Sequence, residues 1–195
     1  MVIAMKSIRY RAYALVLAGA LLLTGLCGCR IESISNQIKD LYSVYMDSTE
    51  SPVTAPDYEN FRRVFPLAVW ETWKETVFSG SESDMKRHFS ETITEVKYNY
   101  SDKCGLDNTY KIEDVERSKI EGDELKKIKE VMQADFGIEP GEVGQVVTAV
   151  VTIVISGSLD TLTITHKQRL MKMNGKWYFC PVQSEDPFRL FRQQR

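Results

Sequence analysis

Histidine and cysteine are scarce in this sequence, and their scarcity excludes several kinds of site. The chain of 195 residues contains two histidines and four cysteines, and two of those cysteines fall within the first 29 residues. A zinc site needs three or four well-oriented ligands, and no second histidine or cysteine lies at a ligand spacing. We therefore expect no metal and no other cofactor. The weak alternative is His88, which shares a predicted helix face with acidic residues.

An excess of basic residues is also missing. The formal net charge is −2, and after residue 29 the chain has 22 basic against 27 acidic residues. Because nucleic-acid binding favours a clustered basic face, we expect no nucleic-acid partner. At 43% hydrophobic and 27% charged residues the composition is that of a globular protein, long enough for one domain or one domain with an appendage.

The amino terminus has the pattern of an export leader. Lys6, Arg9 and Arg11 precede an uncharged run over residues 12–28. The length of this run lies between that of a signal-peptide core and the roughly 20 residues of a membrane-spanning helix. An uncleaved anchor helix is therefore the alternative to a cleaved signal peptide.

The end of the uncharged run decides between these alternatives. Leu26-Cys27-Gly28-Cys29 resembles the lipobox of bacterial lipoproteins, with a cysteine as a small second residue. The resemblance implies that Cys29 becomes the mature N-terminus and carries a diacylglyceryl group, whose two acyl chains, such as palmitate, lie in the bilayer. Two chains give stable anchoring where one does not. We expect an extracytoplasmic protein anchored to the outer face of the cell membrane.

Apolar residues at helical spacing predict helices in the first two thirds of the chain. Pro66 should divide the segment Tyr58–Phe78 into two helices, and Ser81 and Asp123 should cap two further ones. Gly137 should end the helix that Asp123 begins. The apolar stripes are Ile31, Ile34, Ile38, Leu41 and Tyr45; Val69, Trp70, Trp73 and Val77; Met85, Phe89, Ile93, Val96 and Tyr100; and Leu125, Ile128, Val131 and Met132.

The last third of the chain predicts a three-stranded antiparallel meander. Residues 146–155 are rich in β-branched side chains, which suit a half-buried strand. A second extended run, Thr161–Lys172, leads through Asn174-Gly175 to a third. Asn-Gly favours a type I′ hairpin, which would place Leu170 opposite Phe179 and Lys172 opposite Trp177. The polar segment Tyr110–Ile120 is predicted as an additional edge strand.

This order of elements resembles small bacterial lipoproteins whose domains have the NTF2-like, or cystatin-like, α+β fold. The residues that carry the likeness are the lipobox, the helix Ile34–Tyr45, Tyr110-Lys111-Ile112 with Asp123–Lys129, and the closing Met173-Asn174-Gly175-Lys176-Trp177-Tyr178. The resemblance implies N-terminal helices packed on a curved antiparallel sheet, and a sheet-lined cavity that binds a ligand, assists a partner or occasionally catalyses. We divide the chain into a signal peptide (1–28), a lipidated N-terminus with the first helix (29–50) and the α+β domain (51–195), the last two forming one unit.

The cavity is predicted near Val150, Thr152, His166 and Tyr178, with the helix of Trp70 and Trp73. No catalytic motif is present, so the expected function is a non-catalytic module that binds an unknown small ligand or envelope protein. One alternative is an enzyme that uses His166, Tyr178 and a carboxylate in that cavity. Another is a structural protein of the cell envelope.

Two further features leave alternatives open. Cys104 and Cys180 either form a disulfide, as extracytoplasmic cysteines often do, or are two independent buried thiols. The tail, residues 186–195, combines three arginines with Phe188 and Phe191. It either touches anionic lipid or wall polymer, or packs its aromatic residues on the domain.

Overall fold

The computed structural model describes residues 34–48 and 57–183, without the side chains of residues 96–98 and 183. The expectations for the leader, for Cys29 and for the tail fall outside these residues. The chain separates into two units, Met1–Asn36 and Gln37–Arg195. In the first unit only residues 34–36 are described, and they are helical.

Helices precede and interrupt the sheet, as the sequence predicts. The first, α1, is helical over residues 34–48. The others are α2 (Tyr58–Arg62), α3 (Leu67–Val77), α4 (Glu82–Cys104) and α5 (Gly122–Phe136).

Proline separates α2 from α3 as predicted. Pro66 has an extended backbone and occupies the N-cap of α3, where its missing N–H costs no helical hydrogen bond. Trp70 and Trp73 are buried, in agreement with the predicted stripe. Val77 is 45% exposed, so its assignment to the buried face is wrong. It is the last residue of α3.

The predicted helix ends are confirmed in two cases out of three. The Ser81 hydroxyl accepts a hydrogen bond from the backbone N–H of Asp84 at 3.2 Å and caps α4. Gly137 ends α5 in the left-handed conformation that favours glycine, with φ at 64°. The cap predicted at Asp123 is wrong, because α5 already begins at Gly122. Its N-cap, Glu121, makes no side-chain capping hydrogen bond.

The sheet has four antiparallel strands rather than the three of the predicted meander. They lie in the order β1 (Thr109–Ile120), β2 (Val143–Ser156), β3 (Thr161–Met173) and β4 (Lys176–Phe179). The additional strand is the polar segment expected at an edge, and β1 pairs with β2 along its length apart from one bulge between Ile112 and Asp114. The described architecture is therefore α+β, with helices on an open antiparallel sheet.

The hairpin between β3 and β4 has the predicted register. Asn174 and Gly175 both have positive φ angles, 49° and 82°, as a type I′ turn requires. Leu170 pairs with Phe179, and Lys172 pairs with Trp177.

One side of the sheet, here called the helix-covered face, packs against α1. It contains the buried odd-numbered residues of β2 from Val147 to Ile155, together with Leu170 and Phe179. The rings of Tyr42 and Tyr45 on α1 contact Phe179, with centroids 5.3 and 5.6 Å away. The other side, here called the opposite face, contains the half-buried even-numbered residues of β2 from Thr148 onward.

An aromatic cluster joins the helices to the sheet. Most of its ring contacts are edge to face, a geometry that adds to the free energy gained by burial. Phe65 bridges the two parts of the core, since its ring lies 6.1 Å from Trp70 and 5.9 Å from Phe179. The N–H of Phe179 also donates to the carbonyl of Val64 at 2.9 Å. The cluster comprises Tyr58, Phe61, Phe65, Trp70, Trp73 and Phe89.

The C-terminal end of α4 is attached to the turn between β2 and β3. The carbonyl of Cys104 accepts a hydrogen bond from the N–H of Leu159 at 3.0 Å. The Asp107 carboxylate accepts two hydrogen bonds from Ser158, at 3.0 and 2.8 Å, and these bonds lower its pKa. A Cβ at Gly157 would lie 2.9 Å from the carbonyl carbon of Cys104 and nearer still to its oxygen. This close approach requires glycine.

Candidate functional site

The six residues predicted to line a cavity are not brought together. Val150 and Thr152 pair with Lys167 and Thr165, whereas His166 pairs with Val151. Successive side chains on a strand point to opposite sides, so Val150 and Thr152 lie on the opposite face while His166 lies on the helix-covered face. Tyr178 pairs with Met171 and also belongs to the opposite face.

The register explains this outcome. It pairs odd-numbered positions of β2 with even-numbered positions of β3. A shift of one residue would exchange the faces, and the turn between β2 and β3 has no sequence signature that sets its length. The remaining two residues, Trp70 and Trp73, are buried among aromatic rings and form core rather than a ligand platform.

His166 lies inside the packed core between two tyrosines. It is 2% exposed, and its ring lies 6.1 Å from that of Tyr42 and 6.0 Å from that of Tyr45. Burial disfavours the charged imidazolium and lowers the pKa of His166 to about 4. Burial also raises the pKa of Tyr42. The imidazole and the phenol are therefore both neutral at pH 7.

Two polar atoms of this pair have no hydrogen-bond partner. Among the described residues, nothing bonds to His166 Nε2 or to the Tyr42 hydroxyl, although both atoms are buried. An unmet hydrogen bond in the core costs about 1–3 kcal/mol. His166 is thus a neutral core residue rather than a cavity residue.

An open cavity lies beyond the core, at the end of the helix-covered face next to the β3–β4 turn. We call it the hairpin pocket, and its volume is about 420 Å³. Cavities of this size accept small organic ligands. Its walls are α1, the C-cap of α2 and the hairpin, through Gln37, Asp40, Leu41, Val44, Arg63, Gly175, Lys176 and Trp177.

A shared acceptor fixes the aromatic wall of the pocket. The side-chain oxygen of Gln37 accepts hydrogen bonds from the indole N–H of Trp177 at 3.1 Å and from the ammonium of Lys172 at 3.2 Å. Trp177 is 3% exposed, and Lys172 lies over its ring at 5.8 Å from the centroid. The indole therefore has one defined position.

Two cations lie at the mouth of the pocket. The Lys176 ammonium donates to the backbone carbonyl of Arg63 at 3.3 Å. Burial and the nearby Arg63 charge together lower the pKa of Lys176. Within residues 34–48 and 57–183, neither Arg63 nor Lys176 forms an ion pair with a carboxylate. Asp40 supplies the acidic group of the wall.

Sequence reasoning missed this pocket. It predicted the pairing of Lys172 with Trp177 but not the position of α1 beside the hairpin. Gln37 and Arg63 come from elements far from the hairpin in the chain, and neither belongs to a recognisable motif. No local signal could have identified them.

The two cysteines of the folded unit lie at different ends of the sheet. Both are buried and free. The thiol of Cys104 lies 3.7 Å from the carbonyl of Ile155, which pairs with Leu162, whereas the N–H of Cys180 donates to Arg169. Seven residues of extended strand separate Leu162 from Arg169, a distance of about 23 Å. A disulfide needs Cα atoms within about 7 Å, so the fold agrees with independent thiols. Burial raises the pKa of Cys180 to about 11.

Neither a metal site nor a membrane-spanning helix is found among the described residues. No group of three or more histidine, cysteine, aspartate or glutamate side chains in residues 34–48 and 57–183 is arranged to hold a metal ion. None of the described helices combines the length and the apolar character that crossing a bilayer requires.

Comparison with known proteins gave no relative. The chain matches no protein-family model, no curated protein sequence and no solved structure. The class of protein is therefore defined by its fold alone, as an α+β domain with helices on a four-stranded antiparallel sheet.

Proposed function

We propose that this protein is an extracytoplasmic lipoprotein whose folded unit is a non-catalytic binding module with its ligand in the hairpin pocket. The observation that carries the proposal is the pocket itself. It is an open cavity of about 420 Å³ with a fixed indole in its wall and two cations, Arg63 and Lys176, that form no ion pair with a carboxylate of the described residues. Both cations bond to neutral acceptors, Asn60 and the Arg63 carbonyl, so each keeps its full charge beside a preformed cavity.

The chemistry of the wall supports binding rather than catalysis. The described wall residues include no histidine and no cysteine. His166, the first candidate for a general base, lies in the core away from the wall and is neutral well below pH 7. A general base must reach the proton that it removes. His166 is not among the residues that line the pocket, so it does not contact a ligand bound there.

The proposed location depends on the amino terminus. Leu26-Cys27-Gly28-Cys29 supports lipidation of Cys29, and the charged start followed by an apolar run supports export. Helices on one face of an antiparallel sheet also support a relationship to the NTF2-like fold. That relationship would make the protein one of the many domains that bind ligands or partners on such a scaffold.

The binding proposal is tested by following the indole N–H of Trp177 in nuclear magnetic resonance spectra during a fragment screen. The signal is assigned by its loss in Trp177→Phe. We expect at least one compound to shift this signal in a saturable way. Val44→Trp should fill the pocket and abolish the shift, whereas Val154→Trp, a matched change on the opposite face, should preserve it. If no compound shifts the Trp177 signal, the pocket is not a ligand site.

The anchor is tested separately in cells. Cys29→Ala, or treatment with the signal-peptidase inhibitor globomycin, should leave an unprocessed precursor. Cys27→Ala should be processed normally and serves as the control. Continued processing and membrane attachment of Cys29→Ala would rule out lipidation at this residue.

A further inference from the structure

The charge at the mouth of the hairpin pocket identifies the kind of ligand. Arg63 and Lys176 are both cationic, and the lowered pKa of Lys176 reflects in part the repulsion between them. An anion placed between them would relieve that repulsion and accept charge-assisted hydrogen bonds, which are about twice as strong as neutral ones. This local positive charge stands out in a chain that has more acidic than basic residues after residue 29.

The inner wall of the pocket identifies the rest of the ligand. Leu41, Val44 and Trp177 contribute apolar atoms to this wall, although Leu41 and Trp177 are only 6% and 3% exposed. Such a surface gains free energy by covering an apolar group, at roughly 25 cal/mol for each Å² removed from water. A ligand that fits both parts therefore has an anionic group and an apolar group.

Resting on the proposed function, we infer that the hairpin pocket binds a small molecule with a phosphate or carboxylate group between Arg63 and Lys176 and an apolar group against Trp177. Asp40 opposes this binding, since its negative charge faces the same cavity. Asp40 should therefore weaken the binding of the anion, and removing its charge should strengthen that binding.

The anion has two sources, a soluble metabolite or the headgroup of a membrane lipid. Lipidation of Cys29, as proposed above, would attach the protein to a bilayer that carries phosphate headgroups. The shared chemistry is the anionic group, and the experiment distinguishes its source.

The test uses the mature lipidated protein and three compounds of similar size and different charge. They are phenyl phosphate, benzyl alcohol and benzylamine, and the readouts are the Trp177 indole signal and the dissociation constant. We expect phenyl phosphate to bind most tightly. Arg63→Ala and Lys176→Ala should each weaken its binding about tenfold, because each removes a charge-assisted hydrogen bond. Asp40→Asn should strengthen it, and Lys167→Ala, which removes a cation from the opposite face, should change nothing.

The outcomes separate this inference from the proposed function. If benzyl alcohol or benzylamine binds at Trp177 as tightly as phenyl phosphate or more tightly, the preference for an anionic ligand is wrong. The proposed binding function would still hold. Weaker binding of phenyl phosphate by Asp40→Asn would also overturn it. If none of the three compounds shifts the Trp177 signal, the inference fails, and the fragment screen decides the proposed function independently.

A second arm identifies the source. The lipidated protein is placed in bilayers of phosphatidylcholine with and without phosphatidylglycerol. A Trp177 shift that needs phosphatidylglycerol, and that Lys176→Ala removes, supports a lipid headgroup. A Trp177 signal unaffected by bilayer composition but shifted by phenyl phosphate supports a soluble anion. Both results would support an anionic ligand in the hairpin pocket.

Discussion

The middle and the hairpin end of the helix-covered face both contain polar aromatic side chains, but the hydrogen bonding of those side chains differs. In the middle, His166 and Tyr42 are enclosed by aromatic rings, and two of their polar atoms have no partner among the described residues. At the hairpin end, Gln37 satisfies both the indole of Trp177 and the ammonium of Lys172, next to an open cavity. The rings of both clusters are buried, so the difference lies in their hydrogen bonds: the middle leaves two polar atoms unsatisfied among the described residues, whereas Gln37 satisfies the donors at the hairpin end beside a cavity.

The difference also shows why a histidine among tyrosines is weak evidence of catalysis. A buried imidazole whose pKa falls to about 4 can neither hold a proton at pH 7 nor exchange one with a ligand outside the core. At the hairpin end, the proposed ligand site depends on two ordinary surface cations, Arg63 and Lys176. They matter because both line the cavity, and residue types alone do not reveal that arrangement.

The largest test of this comparison removes a ring from the closed middle. Phe179→Ala should lower the free energy of unfolding by about 3–5 kcal/mol, because Phe179 contacts Tyr42, Tyr45 and Phe65 and leaves a cavity when truncated. Leu159→Ala, at a site that is 70% exposed, is the control and should change stability by less than about 0.5 kcal/mol. Urea denaturation measures both. Equal effects of the two substitutions would contradict a closed middle.

The pH dependence of stability tests the burial of His166. Its folded-state pKa, about 4, lies below its ordinary value of 6.5. The unfolded chain therefore takes up the proton first as the pH falls. Stability should be complete above pH 6.5 and should decrease by roughly 3 kcal/mol between pH 6.5 and pH 4. His166→Gln should reduce the slope in that window, as measured by urea denaturation at a series of pH values. An unchanged slope would mean that His166 is accessible to protons in the folded state.

Adjacent valines test the two faces of β2. Val151→Thr places a hydroxyl in the fully buried helix-covered face and should cost about 1–3 kcal/mol. Val150→Thr makes the same change on the half-buried opposite face and should cost less than about 0.5 kcal/mol. Reversal of this order would show that the cavity predicted at Val150 and Thr152 is closer to the truth than the observed register.

A smaller effect is expected at the hairpin end. Trp177→Phe removes the indole N–H but keeps most of the ring, and Gln37 still accepts from Lys172. The free energy of unfolding should decrease by about 0.5–1.5 kcal/mol. In a double-mutant cycle, Gln37→Met should cost less in the Trp177→Phe background than in the wild type. Strict additivity would argue against the shared acceptor.

The smallest expected effect is that of a reductant. Cys104 and Cys180 are free and lie at different ends of the sheet, so dithiothreitol should leave the unfolding midpoint unchanged. Peptide mapping after alkylation of the denatured, unreduced chain should find both cysteines modified. A peptide that joins Cys104 to Cys180 would contradict the strand register between them.

Much of the fold follows from local sequence signals. Asn174-Gly175 forms the predicted turn, Pro66 separates two helices, and Ser81 caps α4. Each of these signals acts within a few residues of the chain. The cap expected at Asp123 failed because α5 begins one residue earlier, at Gly122, with Glu121 as its N-cap. Local rules describe such ends to within a residue or two.

The candidate site could not be predicted in the same way. The face to which His166 belongs depends on the register of β3 against β2, and the hairpin pocket depends on the packing of α1 beside β4. Both are relations between distant segments. Lys172 and Trp177 were paired correctly from the sequence, but their common partner, Gln37, lies 135 positions from one and 140 from the other.

The junction at Gly157 has a consequence for how this sequence can vary. The end of α4 and the turn after β2 touch backbone to backbone there, with no room for even a methyl group. Gly141 has open space around it and no positive φ. Glycine should therefore be conserved at position 157 among diverged relatives, whereas position 141 should accept other residues.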